Sequence, residues 1–148
     1  MLRLESPCKI NLLLNILGRR EDGYHELETL FHPVPLTDVL TFEQTGSELA
    51  MTCSVAGLPC DDSNLVVKAA RAFFREVPQA GQGIHIHLEK RIPMAAGLGG
   101  GSGNAAYTLR GLNQLFGNPL DTPALHRLAA GLGSDVNFSL ESGPALAT

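Results

Sequence analysis

Small residues crowd into the segment Pro93-Met94-Ala95-Ala96-Gly97-Leu98-Gly99-Gly100-Gly101-Ser102-Gly103-Asn104-Ala105-Ala106, and the chemistry such a segment offers is anion binding. Glycine allows φ > 0 and lets a phosphate reach the backbone without meeting a Cβ. Ser102 adds a hydroxyl suited to a phosphate oxygen or a metal. A helix starting here would aim free N–H groups and the positive end of its dipole at the same anion. Spacing excludes two other phosphate loops. A P-loop ends in Gly-Lys-Ser/Thr, and no lysine follows Lys90; the dinucleotide fingerprint fails because Ser102 stands where a third glycine is required. A glycine turn that merely joins strand to helix is the plainer reading. Five glycines in the seven residues 97–103 argue against it, since each costs about 1 kcal/mol in a helix.

Three other places carry reactive types. Lys9 and Asn11 lie two apart in an apolar run and share a strand face; an edge strand with Lys9 in water fits those residues equally well. Asp135 follows Gly133, where propensity favours a turn residue, and beside a phosphate segment and a lysine it becomes a candidate base. Tyr24 and His25 leave the hairpin-type turn Asp22-Gly23. Such a pair can stack on and hydrogen-bond a nucleobase, although by themselves the residues favour a plain strand start. His85 and His87 share a strand face and could in principle share a metal; a solvated face opposite Ile84, Ile86 and Leu88 is the reading preferred, and no metal site built from protein ligands is expected.

The elements that must position these residues follow from periodicity. Ile84 to Leu88 alternates as a strand and runs into the glycines; Ala105, Leu109, Leu112 and Phe116 recur as one helix face after them. Leu2 to Ile16 is apolar-rich. Asp38–Gln44 and Leu49–Val55 read as two strands around the turn Gln44-Thr45-Gly46-Ser47. Ser63 is expected to cap a helix bearing Leu65, Val66, Ala69, Ala70, Phe73, Phe74 and Val77, with Pro78 stopping it. Thr122-Pro123 starts another with Leu125, Leu128, Ala129 and Leu132 inward, Gly133 to Phe138 closes it, and residues 143–148 read as a strand begun.

With 148 residues, 44% hydrophobic and 18% charged, the chain has the make-up of one ordinary globular domain. A formal charge of −4 without a basic stripe argues against a nucleic-acid surface. No apolar run approaches a membrane span, Met1-Leu2-Arg3-Leu4-Glu5 does not resemble a signal peptide, and Cys8, Cys53 and Cys60 form no Cys-x-x-Cys. The cytoplasm, with reduced thiols, is the expected address.

Pro93-x-x-x-Gly97-Leu98-Gly99-Gly100-Gly101-Ser102 resembles the central motif of the GHMP kinases, the superfamily of galactokinase, homoserine, mevalonate and phosphomevalonate kinases. Two further blocks, Ser6-Pro7-Cys8-Lys9-Ile10-Asn11-Leu12 and Gly18-Arg19-Arg20-Glu21-Asp22-Gly23-Tyr24-His25-Glu26-Leu27, resemble the branch that phosphorylates 4-diphosphocytidyl-2-C-methyl-D-erythritol in the non-mevalonate isoprenoid pathway. The resemblance implies an α+β fold like the second domain of ribosomal protein S5, a mixed sheet with helices packed on one face. It implies ATP and Mg²⁺, with Lys9 and Asp135 catalytic and Asn11, Tyr24 and His25 on the cytidine-bearing substrate. Pro93, Ala95, Gly97, Leu98, Gly99, Gly100, Gly101, Ser102, Gly103 and Asn104 would hold the nucleotide, with Asn64 and Lys90 near the adenosine. Residues 1–148 would then be the N-terminal, ATP-binding domain, and a C-terminal GHMP domain lies outside this chain, so that the 148 residues alone are expected to turn over poorly.

Four positions depart from that pattern. Gly103 replaces a second serine, Cys8 an alanine, and Asn137 and Ser139 stand where proline and an apolar or aromatic residue are usual. Without proline, the turn after Asp135 is expected to be less rigid. Competing readings are another GHMP kinase, or a non-catalytic nucleotide- or RNA-binding module on an S5-like fold.

Overall fold

Among the described residues, alternation of apolar and polar side chains produces four strands: β1 (Leu2–Pro7), β2 (Thr37–Gln44), β3 (Ala50–Cys53) and β4 (Ile84–Glu89). The structure, a computed structural model, describes residues 1–7, 37–46, 48–81, 83–91 and 100–141. The strands form one mixed sheet in the order β1-β2-β4-β3; β2 is antiparallel to β1 and β4, and β3 runs parallel to β4. Both strands read around the turn after Gln44 are present, yet they are not neighbours, because β4 lies between them. Ile84, Ile86 and Leu88 are fully buried, so the strand with the strongest apolar alternation takes an interior place and is bonded along both edges. The parallel β3–β4 pair requires a long connection, and helix α1 (Leu65–Glu76) supplies it.

Register stacks the core in rows. Leu4 faces Leu40 and Leu40 faces Leu88; Leu2 faces Phe42, which faces Ile86, and Ile86 faces Met51 on its other side. Over this face lie α1, α2 (Gly100–Leu115), α3 (Thr122–Leu132) and α4 (Ser134–Glu141), with α2 packed against β1, β2, α1 and α4. Ala105, Leu109 and Leu112 of α2 are buried as the spacing requires, and Phe116 stacks on Phe73 of α1 with ring centroids 6.0 Å apart. Each large apolar side chain so buried contributes about 1.5–3 kcal/mol, which makes the sheet–α2–α1 sandwich the stable frame of the molecule. This is the α+β layering that the resemblance implies.

Two local expectations are corrected. Asn64, not Ser63, caps α1: its Oδ1 accepts from Val66 N at 2.8 Å. Ser63 is drawn back to Asp61, whose Oδ1 accepts both its amide (2.9 Å) and its hydroxyl (2.5 Å). The segment Gly133 to Phe138 is likewise no closing turn. Gly133 takes φ +151°, which ends α3, and α4 begins at the next residue, so Asp135 lies in the first turn of a helix. Asn137 makes two hydrogen bonds that a proline could not. Its N–H donates to Gly133 O at 3.2 Å and its Oδ1 lies 2.7 Å from His126 Nδ1, tying α4 to α3.

Candidate site at the start of α2

Strand alternation carries the apolar rows one step further into a polar one. Ser6 pairs with Asp38 across β1 and β2, on the same face as Leu4, Leu40 and Phe42, and Lys90 follows Glu89, the partner of Val39. Asp38 is fully buried and the Lys90 side chain only 6% exposed, with Nζ 2.7 Å from Asp38 Oδ2. Asn104 of α2 closes the cluster. Its Nδ2 donates to Asp38 Oδ2 at 3.0 Å and to Ser6 Oγ at 3.3 Å, while its Oδ1 accepts from Lys90 Nζ at 3.2 Å. The other carboxylate oxygen, Oδ1, accepts from Arg91 N at 2.6 Å. Removing one partner of such a buried ion pair costs about 3–5 kcal/mol, because the remaining charge is left without compensation.

This cluster fixes the exit of β4 against the first turns of α2. There Gly100, Gly101, Ser102 and Gly103 carry N–H groups that a helix start leaves without intrahelical acceptors, and no acidic residue occupies the first turn. Gly101 is exposed, with nothing within 4 Å of where a Cβ would sit, and Ser102 is half-buried. An anion can therefore approach the backbone here, with the helix dipole behind it and a hydroxyl at hand.

The sequence-derived site residues fall in four places with respect to the structure. Gly100, Gly101, Ser102, Gly103, Asn104 and Lys90 come together, the last two with side chains turned onto Asp38. Asn64 stands at the cap of α1, where its Nδ2 also donates to Pro59 O at 2.8 Å, so both ends of its amide have partners. Asp135 is the second residue of α4. Lys9, Asn11, Tyr24, His25, Pro93, Ala95, Gly97, Leu98 and Gly99 lie outside the described residues, as does the strand read over residues 143–148. Sequence reasoning missed Asp38. Its signal was present, because positions 38, 40 and 42 share one strand face and a carboxylate on an inward face requires partners.

On the opposite face of β4, His85 and His87 are half-buried. Thr52 Oγ1 lies 2.9 Å from His85 Nε2 and 2.7 Å from His87 Nδ1, one hydroxyl serving both rings. Among the described residues no group of three or more His, Cys, Asp or Glu is arranged to hold a metal.

Residues 64–147 match the family model of the GHMP kinases N-terminal domain. A 4-diphosphocytidyl-2-C-methyl-D-erythritol kinase of Chlorobium phaeobacteroides (strain BS1) is 54% identical over 144 residues, covering 95% of this chain and 49% of the relative. The protein of that name from Prosthecochloris aestuarii (strain DSM 271 / SK 413) is 49% identical over 140 residues, covering 95% and 48%. The crystal structure of a 4-(cytidine 5'-diphospho)-2C-methyl-D-erythritol kinase superposes with a TM-score of 0.66 at 33% identity, over 94% of this chain and 48% of that one. The chain thus spans about half the length of the curated relatives it matches.

Proposed function

Because this chain belongs to the GHMP kinase family through its N-terminal domain, we propose that it is the ATP-binding half of a kinase. That kinase transfers the γ-phosphoryl group of ATP to the 2-hydroxyl of 4-diphosphocytidyl-2-C-methyl-D-erythritol, a step of non-mevalonate isoprenoid synthesis. The observation that carries the reading is the glycine-rich start of α2, held against β4 by the Asp38 cluster. The substrate comes from the likeness to kinases bearing that name.

Phosphoryl transfer depends on alignment and electrostatic stabilisation more than on covalent help from the protein. In this reading the segment from Pro93 to Asn104 wraps the triphosphate through its backbone. Asp135 takes or orients the proton of the attacking hydroxyl, and Lys9 pairs with it and steadies charge on the moving phosphoryl. Asn11 bonds the substrate, Tyr24 stacks on its cytosine, and His25 hydrogen-bonds it. Asn64 and Lys90 bound the adenosine side.

Mg²⁺ fits this donor set. It keeps water and phosphate ligands and asks little of the protein, which the half-buried Ser102 hydroxyl can supply. When bound it neutralises phosphate charge. Residues 1–148 form one wall of the cleft, and a second, C-terminal domain supplies the other. Alignment of that kind accounts for about 7–11 kcal/mol of a barrier, so these residues alone bind nucleotide weakly and turn over poorly.

We place the enzyme in the cytoplasm, acting on a small molecule. No described helix is long and apolar enough to cross a membrane, and the formal charge of −4 offers little to nucleic acid.

The test is ATP-dependent turnover by the full-length protein that the gene encodes, with the cytidine-bearing alcohol, mevalonate and homoserine compared. Turnover confined to the cytidine-bearing alcohol is expected. Preference for mevalonate or homoserine would move the chain to another branch of the family. Salt-dependent RNA binding without turnover would make it a binding module.

A further inference from the structure

We propose that Asp38 is a positioning residue for nucleotide binding: its buried carboxylate sets the first turn of α2 at a fixed place and angle on the end of β4. The inference rests on the ATP reading above and assigns a role to a residue remote from the motif in sequence. Asp38 takes Arg91 N on one oxygen, and Lys90 Nζ and Asn104 Nδ2 on the other. Two of these donors belong to the exit of β4 and one to the opening turns of α2. The carboxylate therefore joins the two ends of the structure between which the nucleotide's phosphates would lie. Asn104 reaches it from the helix interior, 1% exposed, and the Thr108 hydroxyl, donating to Asn104 O at 2.7 Å, stiffens that turn.

The cluster works only with a carboxylate. The donors approach both oxygens, so an amide at position 38 must turn its NH₂ toward donors in either orientation: to Arg91 N in one, to Lys90 and Asn104 in the other. Asp38→Asn therefore keeps volume and shape while releasing the opening turns of α2 from β4.

The experiment measures kcat and both KM values of the full-length protein carrying Asp38→Asn, and of the double variant Asp38→Asn, Lys90→Gln, which removes both charges of the ion pair together. The KM for ATP should rise about tenfold or more, the loss of a hydrogen bond to a charged group, while the KM for the alcohol stays within about twofold. kcat at saturating ATP should fall only by about threefold, because the reacting groups are untouched. Lys90→Gln alone should raise the KM for ATP as well, and combining it with Asp38→Asn should add little, since both act through one cluster.

A merely structural role gives a different signature: fewer folded molecules lower apparent kcat and leave KM where it was. A KM for ATP within about twofold of the unaltered protein, in the single variant or in the double variant if only that one folds, overturns the proposal. Multiplicative effects of the two substitutions would also overturn it, because they would show Asp38 acting independently of the cluster it shares with Lys90. If the unaltered protein shows no saturable dependence on ATP, the kinase reading itself falls and this inference falls with it.

Discussion

The ring of Phe42 fills the space that a Cβ on Gly111 would need: such an atom would lie 2.5 Å from Cε2 and 2.6 Å from Cζ. Helix α2 sits close on the sheet for this reason, and the glycine is set by the ring beneath it and not by any turn. Alanine at 111 gains about 1 kcal/mol of helix propensity and loses about 1–3 kcal/mol to overpacking. Phe42 is fully buried and has nowhere to withdraw, so the steric loss wins. Gly131 in α3 is the control, with nothing within 4 Å of its would-be Cβ. Chemical denaturation should show Gly111→Ala destabilised by up to about 2 kcal/mol and Gly131→Ala stabilised by about 0.5–1 kcal/mol. The same sign for both would disprove the packing argument.

Asp61 and Asn64 divide the work at the start of α1. The Ser63 hydroxyl, then the Ser63 amide, hold the Asp61 carboxyl below its ordinary value of 3.8. A carboxylate whose pKa is depressed by folding adds stability above its unfolded value and loses it as pH falls through the folded value. That contribution is therefore complete at neutral pH and fades below about pH 4. Ser63→Ala should move the Asp61 carboxyl titration, followed by NMR, upward toward 3.8, with little change in helix stability. Asn64→Ala should leave that titration in place and destabilise the protein by about 1 kcal/mol through loss of the cap. Exchanged outcomes would return the cap to Ser63.

What the sequence disclosed was local. Ile84, Ile86 and Leu88 announce a buried strand face, and Ala105, Leu109 and Leu112 a buried helix face, because burial imposes periods of two and 3.6 on neighbouring residues. What it hid depended on distant partners. Asp38 begins a strand pattern like any polar flank, and only pairing with residues 52 and 66 positions away turns it into the centre of a cluster. The place of β4 between β2 and β3 is hidden for the same reason. Ser63 and Asn64 are adjacent residues of equal capping ability, and Asp61, by engaging Ser63, decides between them. Against a proline at that position, Asn137 reads as a loosening. The bond to His126 comes from α3, across the break at Gly133.

The catalytic assignment makes the sharpest demand on Asp135. The structure sets it in the first turn of α4, immediately after the left-handed Gly133, and α4 packs on α2, whose opening residues form the candidate phosphate site. Asparagine at 135 keeps the size of the side chain and its compatibility with a helix start, yet has no basic oxygen to accept the hydroxyl proton. In the full-length protein, Asp135→Asn should lower kcat by about 100- to 10,000-fold with the KM for ATP nearly unchanged. Lys9→Ala should slow the same chemical step. Single-turnover measurements separate that step from product release, and the fluorescence of a nucleotide analogue reports binding. Near-normal turnover in Asp135→Asn would leave this residue with the start of α4 as its whole role, and the base would have to be sought elsewhere.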